Sequence, residues 1–164
     1  MVNGWCRVVQ PDNIQENLHQ QLCVFPYHFP GTYNTTELEE LENKCKISLV
    51  TLLMFHFLND NPIRCILMET VLACNGAMLS YKFLNDLASL CKKLSMSIIL
   101  DEILTGGRTG SMLHWEKLPP NFKGSVAYIT MGKWLGVGLI LINPDHKSQY
   151  KQYKSNIRVN QARG

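Results

Sequence analysis

An apolar run over Ser97-Ile98-Ile99-Leu100 ends on two adjacent carboxylates, Asp101 and Glu102, and opens into the turn Thr105-Gly106-Gly107-Arg108-Thr109-Gly110. Carboxylates at a strand end can hold a hard cation, flank a glycine loop that cradles phosphate, or anchor the charged nitrogen of a cofactor ring. They also serve as ordinary solvated strand ends. A second reactive side chain lies downstream, Lys133, after the apolar run Ser125-Val126-Ala127-Tyr128-Ile129-Thr130.

Spacing narrows these readings. A phosphate loop of the Gly-x-x-x-x-Gly-Lys-Ser/Thr type is excluded, because Ala127 stands at the first glycine position and Trp134 follows Lys133. Neither the turn at 106–110 nor Gly132-Lys133-Trp134-Leu135-Gly136 fits Gly-x-Gly-x-x-Gly. Adjacent residues on a strand point to opposite faces, so Asp101 and Glu102 do not converge on one cation. The cysteines at 6, 23, 45, 65, 74 and 91 form no Cys-x-x-Cys pair, and the five histidines are dispersed; no metal is expected. His56 reads as a core or partly exposed helix residue, and His114 beside Trp115 as a surface loop residue. The remaining pairing, an acid that ends one strand with a lysine that follows the next, meets two needs of pyridoxal phosphate chemistry. A lysine must form a Schiff base with the aldehyde, and a carboxylate must keep the pyridine nitrogen protonated. A desolvated site favours the neutral amine that attacks.

The elements that must position these groups are legible to different degrees. Residues 1–23 carry no assignable pattern. The stretch Val24 to Asn34, with two prolines and a glycine, reads as a loop. Thr36 with Glu39 three places later reads as a capping box that opens a helix running into the apolar stretch Ser48–Leu58, with one break allowed. Asn59-Asp60-Asn61-Pro62 ends it. Residues 63–70 read as a buried strand with Glu69 at its carboxyl end. After a loop at Asn75-Gly76, Ser80 caps a helix whose Phe83, Leu84, Leu87, Ala88, Cys91 and Leu94 share one face. Strands follow at 97–102, at 125–130 and at 137–143. Strands joined by helices predict an α/β fold with a mainly parallel sheet, its strands buried on both faces. Ligands then gather beyond the carboxyl ends of the strands, where Glu69, Asp101 and Thr130 to Lys133 fall.

Composition sets the remaining bounds. The chain has 164 residues, 46% hydrophobic, and a net charge of +3, enough for one domain with a core. Five Lys/Arg and one Asp lie in residues 144–164, so the tail is basic and the rest near neutral. No basic face interleaved with aromatics accompanies the tail, so nucleic acid is not an expected partner. The longest apolar run is too short to span a bilayer, so no membrane is expected either. The opening stretch has no apolar signal core, which predicts reduced thiols and an intracellular site, cytoplasmic or mitochondrial.

Across residues 24–143 the sequence resembles the class III pyridoxal-phosphate-dependent aminotransferases of fold type I. The resemblance rests on Ile98-Ile99-Leu100-Asp101-Glu102-Ile103, then Thr105-Gly106-Gly107-Arg108-Thr109-Gly110, then Met131-Gly132-Lys133 and the glycines after it. It implies a three-layer large domain, of which this chain resembles the central part, pyridoxal 5'-phosphate as cofactor, and a homodimer. It further implies that Asp101 meets the pyridine nitrogen and that Ile103 packs on the ring face. Lys133 would bind the aldehyde and shuttle the proton, and Glu69 would line the site. Departures from the family pattern are Leu104 in place of a glutamine, a turn one residue short before Arg108, Thr70 in place of a proline, and an abbreviated stretch after Gly138. The phosphate-cupping loop and the small domain find no counterpart. Two functions follow as expectations. One is amino transfer from an amine or amino acid to an oxo acid or aldehyde. The other is a shortened, non-catalytic relative that docks on a full-length subunit.

Overall fold

In the computed structural model the described residues are 4–7, 22–29, 31, 34–58 and 63–146. They form β1 (Gly4–Arg7), β2 (Leu22–Phe25), α1 (Thr35–Leu58), β3 (Cys65–Met68), α2 (Tyr81–Lys93), β4 (Ser97–Asp101), a 3-10 turn (His114–Lys117), α3 (Pro120–Ser125), β5 (Val126–Met131) and β6 (Leu139–Ile142), with a second 3-10 turn at Pro144–His146. Most of the basic tail, residues 147–164, and most of residues 1–23 lie outside the described residues.

The sheet runs β2-β1-β3-β4-β5-β6. Its centre, β3-β4-β5, is parallel, as βαβ connections through α2 and α3 require. Both margins are antiparallel, with β1 against β2 and β3, and β6 against β5. The α/β class and the central parallel strands agree with the reading from sequence.

Three local expectations are corrected. Val24 and Phe25 are strand rather than loop, because they pair with Trp5 and Gly4, a partner too distant in sequence to be read locally. The capping box of α1 is Asn34 with Glu37, not Thr36 with Glu39. Glu37 N–H donates to Asn34 Oδ1 at 2.9 Å, and Asn34 N–H donates to Glu37 Oε2 at 3.1 Å. Thr36 is inside the helix, and α1 then runs without a break to Leu58. The expectation of strands buried on both faces holds for one face only. In β3 and β4, Ile66, Met68, Ile98 and Leu100 are sealed, while Cys65, Leu67 and Ile99 between them are half-buried.

The sealed face carries the core. Leu52 of α1, Phe83, Leu84 and Leu87 of α2 and Phe122 of α3 join Ile66, Met68, Ile98 and Leu100 in one cluster. Helix α2 fits because its apolar residues recur at three- and four-residue steps, and Ser80 Oγ caps it by accepting from Phe83 N–H at 3.1 Å. Thus β4 is fixed from the sealed side, and the other face of its carboxyl end is left for the site.

Candidate functional site

Register decides what stands beside Asp101. Strands β4 and β5 begin paired at Ile98 and Val126, and the register then shifts by one residue so that Ile99 meets Tyr128. Regular pairing would have set Ile129 opposite Asp101. The irregularity sets Thr130 there instead, on the same, half-exposed face. Thr130 Oγ1 donates to Asp101 Oδ1 at 3.0 Å, and the backbone N–H of Ile103 donates to the same oxygen at 3.0 Å. Asp101 Oδ2 has no hydrogen-bond partner among the described residues.

Lys133 is brought in by the backbone. Its N–H donates to Ile103 O at 3.2 Å, and a tight turn follows in which Leu135 and Gly136 N–H groups both donate to Gly132 O. Ile103 therefore bonds the Asp101 side chain through its N–H and the Lys133 main chain through its carbonyl. The Lys133 side chain is exposed and has no ion-pair partner among the described residues. Ile103 itself is not the next pleat of the strand: β4 ends at Asp101, and Ile103 sits in the turn beyond it, 39% exposed. Glu69 follows the end of β3, which is in register with β4, so it stands next to Asp101 at the sheet's carboxyl edge. Its Oε2 accepts from Ala73 N–H at 2.9 Å, and its carbonyl accepts from the Tyr27 hydroxyl at 2.8 Å. The glutamate carboxylate thus closes its own turn.

Glu102 takes the opposite face, as alternation requires, and it is wholly buried. Its carboxylate accepts two 2.7 Å bonds, from the N–H groups of His114 and Trp115, and so holds the start of the 3-10 turn. Burial pushes its carboxyl up, and the two N–H donors pull it back only in part. His114 is 4% exposed, which corrects its reading as a surface residue; its Nδ1 lies 3.0 Å from the Thr70 hydroxyl at the end of β3. Burial, and then the charge of Lys117, push its imidazole down. Sequence reasoning missed the roles of Glu102, Thr70, His114 and Thr130. Two signals were there: Thr70 stands where the family pattern has a proline, and Thr130 falls at the carboxyl end of a strand.

The glycine turn is not a phosphate grip. Its three central amides are taken by nearby carbonyls: Gly106 N–H bonds Glu102 O, Gly107 N–H bonds Met112 O, and Arg108 N–H bonds Thr105 O. Gly107 has a φ of +70, and a Cβ there would fall 2.5 Å from the Trp134 ring. The turn is instead a seat for the residue that follows Lys133. Among the described residues no group of three or more His, Cys, Asp or Glu could hold a metal ion, and no helix is long and apolar enough to cross a membrane.

Comparison with known proteins gives the family. The profile of the family "Aminotransferase class-III" matches residues 8–148. The chain belongs to that family. Its members depend on pyridoxal phosphate. The adenosylmethionine-8-amino-7-oxononanoate aminotransferase of Helicobacter pylori is 29% identical over 135 residues, 78% of this chain and 30% of that protein. In fold, the chain is similar to the lysine aminotransferase of M. tuberculosis in its internal aldimine form, with a TM-score of 0.58 and 18% identity over 77% of this chain and 28% of that one. A mutant of M. tuberculosis Rv3290c gives a TM-score of 0.59 and 19% identity over 75% and 27%. The fold is that of the fold type I aminotransferases, and the chain spans less than a third of the relatives it matches.

The residues present fit the family's cofactor at its ring. A carboxylate pinned through one oxygen, with the other free, can accept the N–H of a protonated pyridine.

Proposed function

We propose that the carboxyl ends of β4 and β5 hold pyridoxal 5'-phosphate, and that the activity this serves is amino transfer between an amine or amino acid and an oxo acid or aldehyde. The observation that carries this is the bonding around Ile103, which ties the Asp101 carboxylate and the Lys133 backbone to one residue with Asp101 Oδ2 left open. Pyridoxal phosphate, when bound, supplies an electron sink for the bond broken at the substrate α-carbon. Asp101 Oδ2 would accept from the ring nitrogen and keep it protonated. Ile103, exposed in the turn, would offer an aliphatic side chain to the ring. Lys133 Nζ is the amine that would hold the aldehyde group, and it would serve as the base and acid that moves a proton at the substrate α-carbon. Glu69 lines the edge next to Asp101.

A second reading, a non-catalytic subunit that docks on a longer relative or on a second copy, is favoured by the exposed apolar side chains of Trp134 and Val137 in the turn before β6 and of Ile140 on that edge strand. One experiment separates the two. Pyridoxal phosphate added to the purified chain gives the visible absorbance band of a lysine-bound aldehyde, and Lys133→Ala abolishes it. A wild-type chain without the band overturns the first reading. A band that persists in Lys133→Ala removes the lysine from it.

A further inference from the structure

The paired register of Asp101 and Thr130 implies more than proximity. A carboxylate at a strand end has free rotation about its last torsion, and an unpinned one meets a ring nitrogen in only part of its conformations. Here two donors converge on a single oxygen, and they come from different elements. Ile103 N–H lies in the turn after β4, and the Thr130 hydroxyl lies on β5. The amide can be removed only by proline, which would also constrain the turn; the hydroxyl can be removed cleanly. The Thr130 main chain on β5 is held, since its carbonyl accepts from Glu102 N–H at 2.8 Å, and its β-branched side chain is stiff about χ1. The one-residue register shift is what puts a hydroxyl-bearing residue at this position, where regular pairing would put Ile129.

We propose that Thr130 is a positioning residue for the cofactor ring, which acts through Asp101: its hydroxyl holds Oδ1 so that Oδ2 is presented to the ring nitrogen. The inference rests on the reading of Asp101 given above. Preorganised acceptors bind more tightly because the ordering is done before the ligand arrives. Loss of one such hydrogen bond is expected to weaken ring binding roughly 3- to 10-fold.

The test uses pyridoxamine 5'-phosphate, which carries the ring nitrogen but no aldehyde, so bonding to Lys133 does not contribute. Its dissociation constant is measured by tryptophan fluorescence for the full chain and for Thr130→Val, Thr130→Ser, Asp101→Ala and the Asp101→Ala/Thr130→Val pair. Thr130→Val is expected to weaken binding by the factor above, and Thr130→Ser, which keeps the hydroxyl, to stay within about twofold of wild type. Asp101→Ala is expected to weaken it further, and Thr130→Val to add nothing in that background. Should Thr130→Val not fold, Thr130→Ala takes its place in the same cycle. Wild-type binding by the hydroxyl-less variant overturns the inference. So does an equal loss in the Asp101→Ala background, which would mean that Thr130 acts by packing alone. Wild-type binding by Asp101→Ala removes the reading of Asp101 itself, and the inference with it.

Discussion

The Glu102→Gln substitution is the sharpest probe of how the site is held. The wild-type carboxylate has two acceptor oxygens, and each takes one main-chain N–H, from His114 and from Trp115, at 2.7 Å. An amide of the same shape keeps one acceptor and turns the other into a donor that meets an N–H head on. One amide is then stranded, and at the His114 end it is buried. A stranded buried N–H costs about 1–3 kcal/mol, and the surviving bond loses its charge assistance, for a total of about 2–4 kcal/mol. With an m-value of about 2 kcal/mol/M, the urea midpoint falls by roughly 1–2 M with the slope unchanged. Urea titration followed by tryptophan fluorescence reads this directly, because Trp115 is one of the two residues released. A midpoint shift below about 0.3 M would show that the carboxylate does not hold this segment, and would break the argument that Glu102 fixes the elements around the site.

The same residue gives a pH dependence. Burial raises the Glu102 pKa in the fold, so above the ordinary value of 4.5 the native state holds a proton that the unfolded chain has released. This contribution is complete below that value and is lost as pH rises through the raised one; unfolding midpoints across the window should show a falling component that Glu102→Gln removes. Gly107→Ala forces a Cβ to 2.5 Å from the Trp134 ring at a φ of +70, and should lower stability by about 1–3 kcal/mol and shift tryptophan emission. In α1, Asn34→Ala should lower stability by about 1 kcal/mol in a thermal melt, whereas Thr36→Ala, inside the helix, should leave it unchanged or slightly raised.

What the sequence disclosed follows from the range of the forces involved. Helix α2 was legible because every determinant is local: Ser80 caps Phe83 three residues on, and the apolar face repeats within four. The strand ends near Glu69, Asp101 and Thr130 were legible because apolar runs stop there, although β5 runs one residue further, to Met131. The cap of α1 was misplaced because Asn34-Thr35-Thr36 offers three capping side chains in a row, with Glu37 and Glu39 as rival partners, and only geometry chooses Asn34. Strands β1 and β2 were hidden because each depends on the other, and β1 also on Leu67, far along the chain. His114 was misread for the same reason: its partners Thr70 and Glu102 lie 44 and 12 residues away.

The adjacency of Asp101 and Glu102, which first suggested a shared site, is better understood as a division of labour imposed by the pleat. Two neighbouring strand residues cannot face the same way, so a chain with acids at both places commits one to each side of the sheet. Asp101 falls on the half-exposed face, where one oxygen can be left free; Glu102 falls on the sealed face, where every oxygen must be satisfied, and it is. The two remain coupled through the main chain. Glu102 N–H bonds Thr130 O, and the Thr130 hydroxyl bonds Asp101. A perturbation on the sealed side therefore has a short path of hydrogen bonds to the carboxylate on the open side. Glu102→Gln should weaken binding of pyridoxamine phosphate less than Thr130→Val does, since it loosens the frame while Thr130→Val removes a direct contact with Asp101.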